Sequence, residues 1–214
     1  MSFRFDKSKE LTEFRVWIRK SEPLSGRIWD ELPTVVKDAI RARLHRDQRA
    51  LCCYCYAIVK DDHTSHVEHV VPQNSDNRFD WDNLALACDG GNKGKNPSHC
   101  DHAKGQTTLD TVHPYKAPVT RFVTLRDKGR LSVVEAAQRD VEQVLNLNTP
   151  HLQRQRESVR EALIAALQRR KRPDEPWRPQ DIAQALGKLR SRRDLIDYQP
   201  LIEDWLERRL RRDS

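Results

Sequence analysis

No stretch of this 214-residue chain approaches the ~18 consecutive apolar residues that a membrane-spanning helix needs, so no membrane partner is expected. The N-terminal run MSFRFDKSKELTEF has no apolar h-region, so no secretory leader is expected and a reducing, cytoplasmic compartment follows. Apolar residues are also few. The AVILMFWYC set is 37% against 33% charged, and the mean hydropathy is -0.84, which argues against a large globular core. There is no internal repeat and no low-complexity tract beyond short arginine clusters. Disorder is excluded in turn, because five Trp, five Phe and four Tyr are too many for a disordered tail. A modest core with long amphipathic helices satisfies all of these absences.

The chain does have charge. The formal net charge is +7, which permits nucleic-acid binding without proving it. The charge is unevenly placed: residues 1–51 carry +4, 106–134 carry +3 and 135–214 carry +3, whereas 52–105 carry -3. All five cysteines (Cys52, Cys53, Cys55, Cys88, Cys100) lie in that acidic island. An odd cysteine count in a reducing compartment points to metal ligands plus a spare thiol rather than to disulfides.

Apolar spacing predicts a helix over Lys7–Lys20, broken by Pro23 and Gly26, and a second over Leu32–Ala50. Cys52–Val59 suits a hairpin or knuckle, Ser65–Val71 a strand stopped by Pro72, Asn83–Cys88 a short element, Asp89–His99 a loop, and a short helix begins near Asp101. Val119–Leu125 and Arg130–Val134 flank Asp127-Lys128-Gly129 as a hairpin. Helices follow over Val134–Leu147, His151–Arg170, Pro179–Leu189 and Tyr198–Arg212, with a proline-bearing linker at Lys171–Pro179. Four regions result: helical residues 1–51, a cysteine-rich core at 52–105, a connecting hairpin at 106–134 and a helical 135–214. The last, with Trp205, Leu206 and Leu210 on a polar background, is a candidate partner-docking surface.

Cys52 and Cys55 form a C-x2-C pair whose thiolates can converge on one zinc at ~2.3 Å. A structural site wants four ligands, and Cys88 and Cys100 complete the expected zinc set. Cys53 in place of Cys52, and His99 beside Cys100, stay open as alternatives. Between the pairs lies Ser65-His66-Val67-Glu68-His69-Val70-Val71-Pro72. On a strand, His66 and Glu68 share one face and Val67, His69 and Val71 the other, with a twist near Pro72 able to bring Glu68 and His69 together. Asn83 follows in Asp82-Asn83-Leu84, and Asp101 and Lys104-Gly105 follow Cys100.

The string Glu68-His69-x-x-Pro72, Asn83-Leu84, Cys88, Cys100-Asp101-x-x-Lys104-Gly105 resembles the HNH endonucleases, built on a ββα-metal finger. The resemblance implies Glu68 and Asp101 as ligands of a catalytic Mg²⁺ or Mn²⁺, His69 as general base and Asn83 as the residue that positions it. The residue types suit phosphodiester hydrolysis. Histidine titrates near neutrality, hard carboxylates suit Mg²⁺ and soft thiolates take zinc. Lys104, with Lys93 or Lys95 besides, is expected at phosphates. The fold class implied is α+β, mainly α-helical, with a central zinc-stabilised ββα finger and a small β-hairpin.

Within that family the motifs Leu51-Cys52-Cys53-Tyr54-Cys55, Ser65-His66-Val67-Glu68-His69, Asp80-Trp81-Asp82-Asn83-Leu84, His99-Cys100-Asp101 and Leu145-Asn146-Leu147-Asn148 resemble the PtuB-type nuclease subunit of Septu and retron-associated antiphage systems. This branch implies an ATPase partner of PtuA type, assembly through that partner, and a nucleic-acid substrate, DNA ahead of RNA. The alternative is a non-enzymatic zinc-finger module that binds nucleic acid or protein. His45, His63, His113 and His151 are read as packed or solvated, and His66 and His102 are left unassigned. Trp81 is placed in the core beside the finger, and the arginine-rich runs at 41–49, 169–172 and 190–193 are taken as solvated helix faces.

Overall fold

The computed structural model describes residues 3–21, 28–60, 65–91, 96–169, 171–172 and 175–212; Pro23, Gly26, His63, Lys93 and Lys95 lie outside them. Helix and sheet are mixed in the expected α+β manner, with two small antiparallel sheets among the described residues. Helix α1 (Thr12–Lys20) buries Phe14 and carries Glu13 in its first turn and Arg19 and Lys20 in its last, which suits the helix dipole. Helix α2 (Thr34–Asp47) starts directly after Pro33. Its Val36, Ile40 and Leu44 recur every four residues and form one buried stripe, while Val35 beside them is exposed.

Residues before α1 are not helical, contrary to the expected start at Lys7. The Ser8 amide and hydroxyl both donate to Asp47 Oδ2 (3.0 and 2.7 Å), and the Trp81 indole donates to the Ser8 carbonyl (2.7 Å). The indole takes the Ser8 carbonyl that a helix begun at Lys7 would use, and Asp47 anchors the residue, so tertiary contact overrides local propensity.

Strand β1 (Ser65–His69) pairs antiparallel with β2 (Leu84–Cys88), Ser65 facing Cys88 and His69 facing Leu84. Strand β1 stops short of Val71 because the Asn83 side-chain amide takes both the Val71 N–H (2.7 Å) and its carbonyl (2.9 Å). The short helix α3 (Cys100–Lys104) packs on β2 and completes a ββα unit. The other edge of β2 would expose unpaired backbone. It is covered at Leu86, whose N–H donates to Gln48 Oε1 (2.7 Å) and whose carbonyl accepts from Gln48 Nε2 (2.8 Å) and the Cys53 N–H (2.9 Å). The turn that supplies Cys53 is a knuckle closed by a Leu51–Ile58 bridge and by Cys52 N–H to Ala57 O (2.8 Å).

A second hairpin, β3 (Val123–Leu125) with β4 (Leu131–Val133), turns at Gly129, where φ is +66°. A Cβ there would lie 2.0 Å from the Gln153 carbonyl oxygen of helix α4 (Pro150–Gln168), so only glycine lets hairpin and helix approach. Thr149 Oγ1 caps α4 by accepting from the Leu152 N–H (3.3 Å), and the fully buried Arg156 donates from Nε to the Gly129 carbonyl (2.7 Å).

Residues 134–147 do not form the single helix expected. They make a 3₁₀ turn at Glu135–Ala137 and a π-helical turn at Arg139–Val144. The buried Asp140 carboxylate accepts from the N–H groups of Asp110, Thr111 and Val112 (3.1, 2.6 and 3.0 Å). The wide turn keeps Asp140, Val141 and Leu145 all facing inward. Helices α5 (Pro179–Arg190) and α6 (Gln199–Arg212) pack together and reach the knuckle through Tyr198 N–H to Tyr56 O and Ile58 N–H to Asp197 Oδ1, both 2.7 Å. Trp81 is buried beside the finger as expected. Among the described residues no helix is long and apolar enough to cross a membrane.

Candidate metal and catalytic centre

The knuckle supplies Cys52 and Cys55, the end of β2 supplies Cys88 and the start of α3 supplies Cys100. Their four sulfurs lie within 4.8 Å of one another. Cys52 Sγ is 3.8 Å from Cys100 Sγ, and Cys55 Sγ is 3.9 Å from Cys88 Sγ. A tetrahedron with metal–sulfur bonds of ~2.3 Å has edges of about 3.8 Å, so the cluster has the size of a four-cysteine zinc site. A disulfide would need ~2.05 Å, and all five cysteines are free thiols. Cys100 sits at φ 57° and is held there by its N–H to the Leu145 carbonyl (2.9 Å). Burial opposes ionisation of Cys52, but hydrogen bonds from Cys100, Cys53, Cys55 and Cys88 hold its thiol well below the ordinary range.

Both open alternatives fall outside the tetrad. His99 Nδ1 is 3.2 Å from Cys100 Sγ and 3.9 Å from Cys88 Sγ, so it supports a sulfur from beside the cluster. The Cys53 thiol is held protonated by burial, then by its hydrogen bond with Cys52 and the negative charges around it, Glu68 and Asp101 included.

Next to this cluster, Glu68 and His69 are both buried at the end of β1, at 7% and 8% exposure, and their side chains take different partners. Glu68 Oε1 accepts from the Tyr54 hydroxyl (2.8 Å) and pairs with Lys104 Nζ (2.9 Å). Burial raises the Glu68 carboxyl, with Lys104 acting the other way. Asp101, on α3, is pushed up to about 7 by burial and then by the charges of Glu68 and Cys52. Its Oδ1 is buried and has no hydrogen-bond partner among the described residues.

A pair of hard carboxylates with an orphaned buried oxygen fits a divalent cation, and Glu68 and Asp101 are the residues that could hold one. Lys104, expected at phosphates, is itself buried, at 2% exposure; besides Glu68 its ammonium donates to the carbonyls of His69 (3.1 Å) and Gly105 (3.4 Å).

His69 Nε2 lies 2.9 Å from the Arg78 carbonyl, and its ring stands edge-on to Trp29 with centroids 4.9 Å apart. A carbonyl only accepts, so Nε2 carries the proton and the other ring nitrogen keeps its lone pair. Burial lowers the His69 pKa, and the positive Lys104 and Arg78 lower it further, against the Arg78 carbonyl. Asn83 does not touch the imidazole. Its amide clasps Val71 and reaches Asn77 O (3.5 Å), while its own carbonyl takes the Val70 N–H (2.9 Å), so it fixes the loop that presents the Arg78 carbonyl.

Three contributors were missed in the sequence. Tyr54 sits inside the C-C-Y-C string, where its alternation away from the sulfurs was the available signal. Trp29 and the Arg78 backbone carry no local motif and are brought in only by the fold. Of the unassigned histidines, His102 is exposed on α3 and His66 is exposed on β1, in a shallow cleft with Trp29, Lys37 and Arg41.

Residues 52–98 match the family model described as HNH endonuclease. The match takes in Cys52, Cys55, Glu68, His69, Asn83 and Cys88 and ends just before Cys100 and Asp101, which the fold then adds to the same two clusters. No curated protein matches the chain. The match supports, in general terms, a metal-dependent nuclease acting on nucleic acid.

Proposed function

We propose that the protein is an endonuclease that hydrolyses phosphodiester bonds, DNA ahead of RNA, with His69 as general base and Glu68 and Asp101 as holders of Mg²⁺ or Mn²⁺. The observation that carries this is the buried Asp101 Oδ1, which has no hydrogen-bond partner among the described residues and lies close enough to Glu68 and Cys52 to feel their charges. When bound, the cation supplies charge neutralisation for the crowded phosphate and leaving oxygen. The unprotonated nitrogen of His69 takes a proton from the attacking water, and the Arg78 carbonyl keeps the ring in the tautomer that allows it. Asn83 acts through the loop it clasps. Zinc in the tetrad holds the knuckle, β2 and α3 together.

A finer reading is that this nuclease is the effector of a two-component antiphage system of Septu type, working with a PtuA-type ATPase. The motif likeness between residues 51 and 148 supports it, and co-purification with an ATPase encoded beside it tests it.

The burial of Glu68 against Lys104 and Tyr54 is also what a purely structural role would produce, and it favours the second reading, a zinc module without catalysis. One experiment separates the two. Purified protein is incubated with plasmid DNA and with RNA in Mg²⁺ or Mn²⁺, beside His69→Ala of equal zinc content. Cleavage by the wild type alone supports the enzyme, and cleavage by neither leaves the zinc module.

A further inference from the structure

A cleft between α6, α4 and the β3–β4 hairpin is lined by six arginines (Arg126, Arg160, Arg208, Arg209, Arg211 and Arg212) against a single acid, Asp127. It lies outside the residues of the family match. The apolar side chains that could have docked a protein here are used within the fold. Leu206 is fully buried. Trp205 is half-buried, with the Arg160 guanidinium 5.6 Å from its ring and Trp177 edge-on at 6.2 Å. Arg209 lies over Trp177 at 4.5 Å. What faces solvent is charge, since Arg126, Arg208, Arg211 and Arg212 are exposed. Arg208 and Arg211 lean on Asp204 (2.6 Å) and Glu207 (3.9 Å) of their own helix. Exposed helix pairs of this kind hold by only ~0.3–0.5 kcal/mol, so they yield readily to a stronger anion.

We propose that this cleft is a second binding site, for the phosphodiester backbone of nucleic acid. Guanidinium forks match phosphate oxygens in pairs, which a point-like ammonium does not. The segment that carries Glu68, His69 and Asp101 has a net charge of -3, so it repels the polyanion it would cut. The arginine cleft separates holding from cutting. Its purpose rests on the nuclease reading above, while its test does not.

The test is fluorescence anisotropy of a labelled DNA duplex with the full zinc-loaded chain, without added Mg²⁺ or Mn²⁺, over a range of salt. The triple variant Arg126→Ala/Arg208→Ala/Arg212→Ala should bind about tenfold more weakly or worse, with a log–log salt slope shallower by about 3, one for each phosphate no longer neutralised. A control, Arg154→Ala/Arg192→Ala/Arg193→Ala, removes the same charge from exposed positions elsewhere and should stay within about twofold of wild type. Equal weakening in both triples overturns the proposal. So does polyglutamate binding as tightly as the duplex and failing in the same variant, which would assign the cleft to an acidic protein. A chain that binds DNA here and never cleaves it would sink the nuclease reading and leave the cleft standing.

Discussion

Cys100 and Asp101 are consecutive, yet they belong to two centres built on opposite plans. The cysteine tetrad is complete in its own atoms: four like sulfurs at tetrahedral spacing, from three chain segments, with no outside group needed to define it. The carboxylate–histidine group is made of unlike atoms, each fixed by something else: Glu68 by Tyr54 and Lys104, His69 by the Arg78 carbonyl, that carbonyl by the loop Asn83 clasps. It ends in the Asp101 Oδ1, which has no hydrogen-bond partner among the described residues. One centre has the four like ligands that a structural zinc would take. The other retains an unsatisfied group and pushes carboxyls out of their usual range, which is what a site held ready for a ligand does.

The comparison is broken most severely at the tetrad. Structural zinc in small fingers is worth an apparent ~10–16 kcal/mol at neutral pH, as much as the whole stability of an ordinary domain. Cys55→Ser, or stripping with a strong chelator, should therefore abolish cooperative melting of the finger and release the zinc. The damage should spread to α6, because Tyr56 and Ile58 of the same knuckle hold Tyr198 and Asp197. Circular dichroism melts with parallel metal analysis check this, and a Cys55→Ser chain that melts like wild type would refute the tetrad as the organising element.

The reverse break should leave the tetrad intact, at the modest stability cost of a small cavity beside Trp29. His69→Ala removes a ring that touches Trp29 and one carbonyl. It should keep one equivalent of zinc and lose the factor a positioned general base supplies, about 10²–10⁴ in cleavage rate. Retained activity, or lost zinc, would mean that the two centres are not separable as described.

Asp101→Asn tests the tension between the centres with a smaller effect and an unusual sign. A carboxyl whose folded pKa is raised from 3.8 to about 7 contributes stability that is full below its unfolded value and lost as pH rises through about 7. Without Mg²⁺ or Mn²⁺, the asparagine variant should therefore melt higher than wild type above pH 7, and the gap should shrink below it, while cleavage is lost. Thermal melts on either side of pH 7 read both trends.

The sequence made the tetrad legible because sulfur chemistry narrows the choice: Cys52 and Cys55 were identifiable from type and spacing, Cys88 and Cys100 as the remaining cysteines with support from the family resemblance, and folding had only to exclude Cys53 and His99. Glu68, His69, Asn83 and Asp101 were legible as a motif, though not the means that hold them. Tyr54, Trp29 and the Arg78 carbonyl act through contacts across different elements, which no local pattern encodes. The same limit explains the helix boundaries. Lys7–Leu11 has helical spacing but Ser8 is bound to Asp47 and Trp81, and 134–147 has helical spacing but Asp140 must turn inward to three backbone amides. Lys104 has the spacing expected of the motif, and burial gave its charge to Glu68 instead of the surface.

The finest test of the difference uses protons against metal. Cation binding needs Asp101 ionised, and its carboxyl is pushed up to about 7, so below that pH protons compete and the apparent affinity for Mg²⁺ or Mn²⁺ should fall. His69 is lowered from 6.5 by burial and by Lys104 and Arg78, so its neutral, proton-accepting form persists to more acid pH than that of a free histidine. The two limbs are thus ordered, with the carboxylate near 7 and the imidazole below 6.5. At low metal the acid limb of the cleavage rate should belong to the carboxylate. Raising the metal concentration should move that limb down in pH until it stops at the imidazole's own, which metal does not shift. Once loaded with zinc, the tetrad should give no such response across this window, because its sulfurs are then committed to the metal. A limb that keeps moving with metal, without a stop, would mean that His69 is not the base.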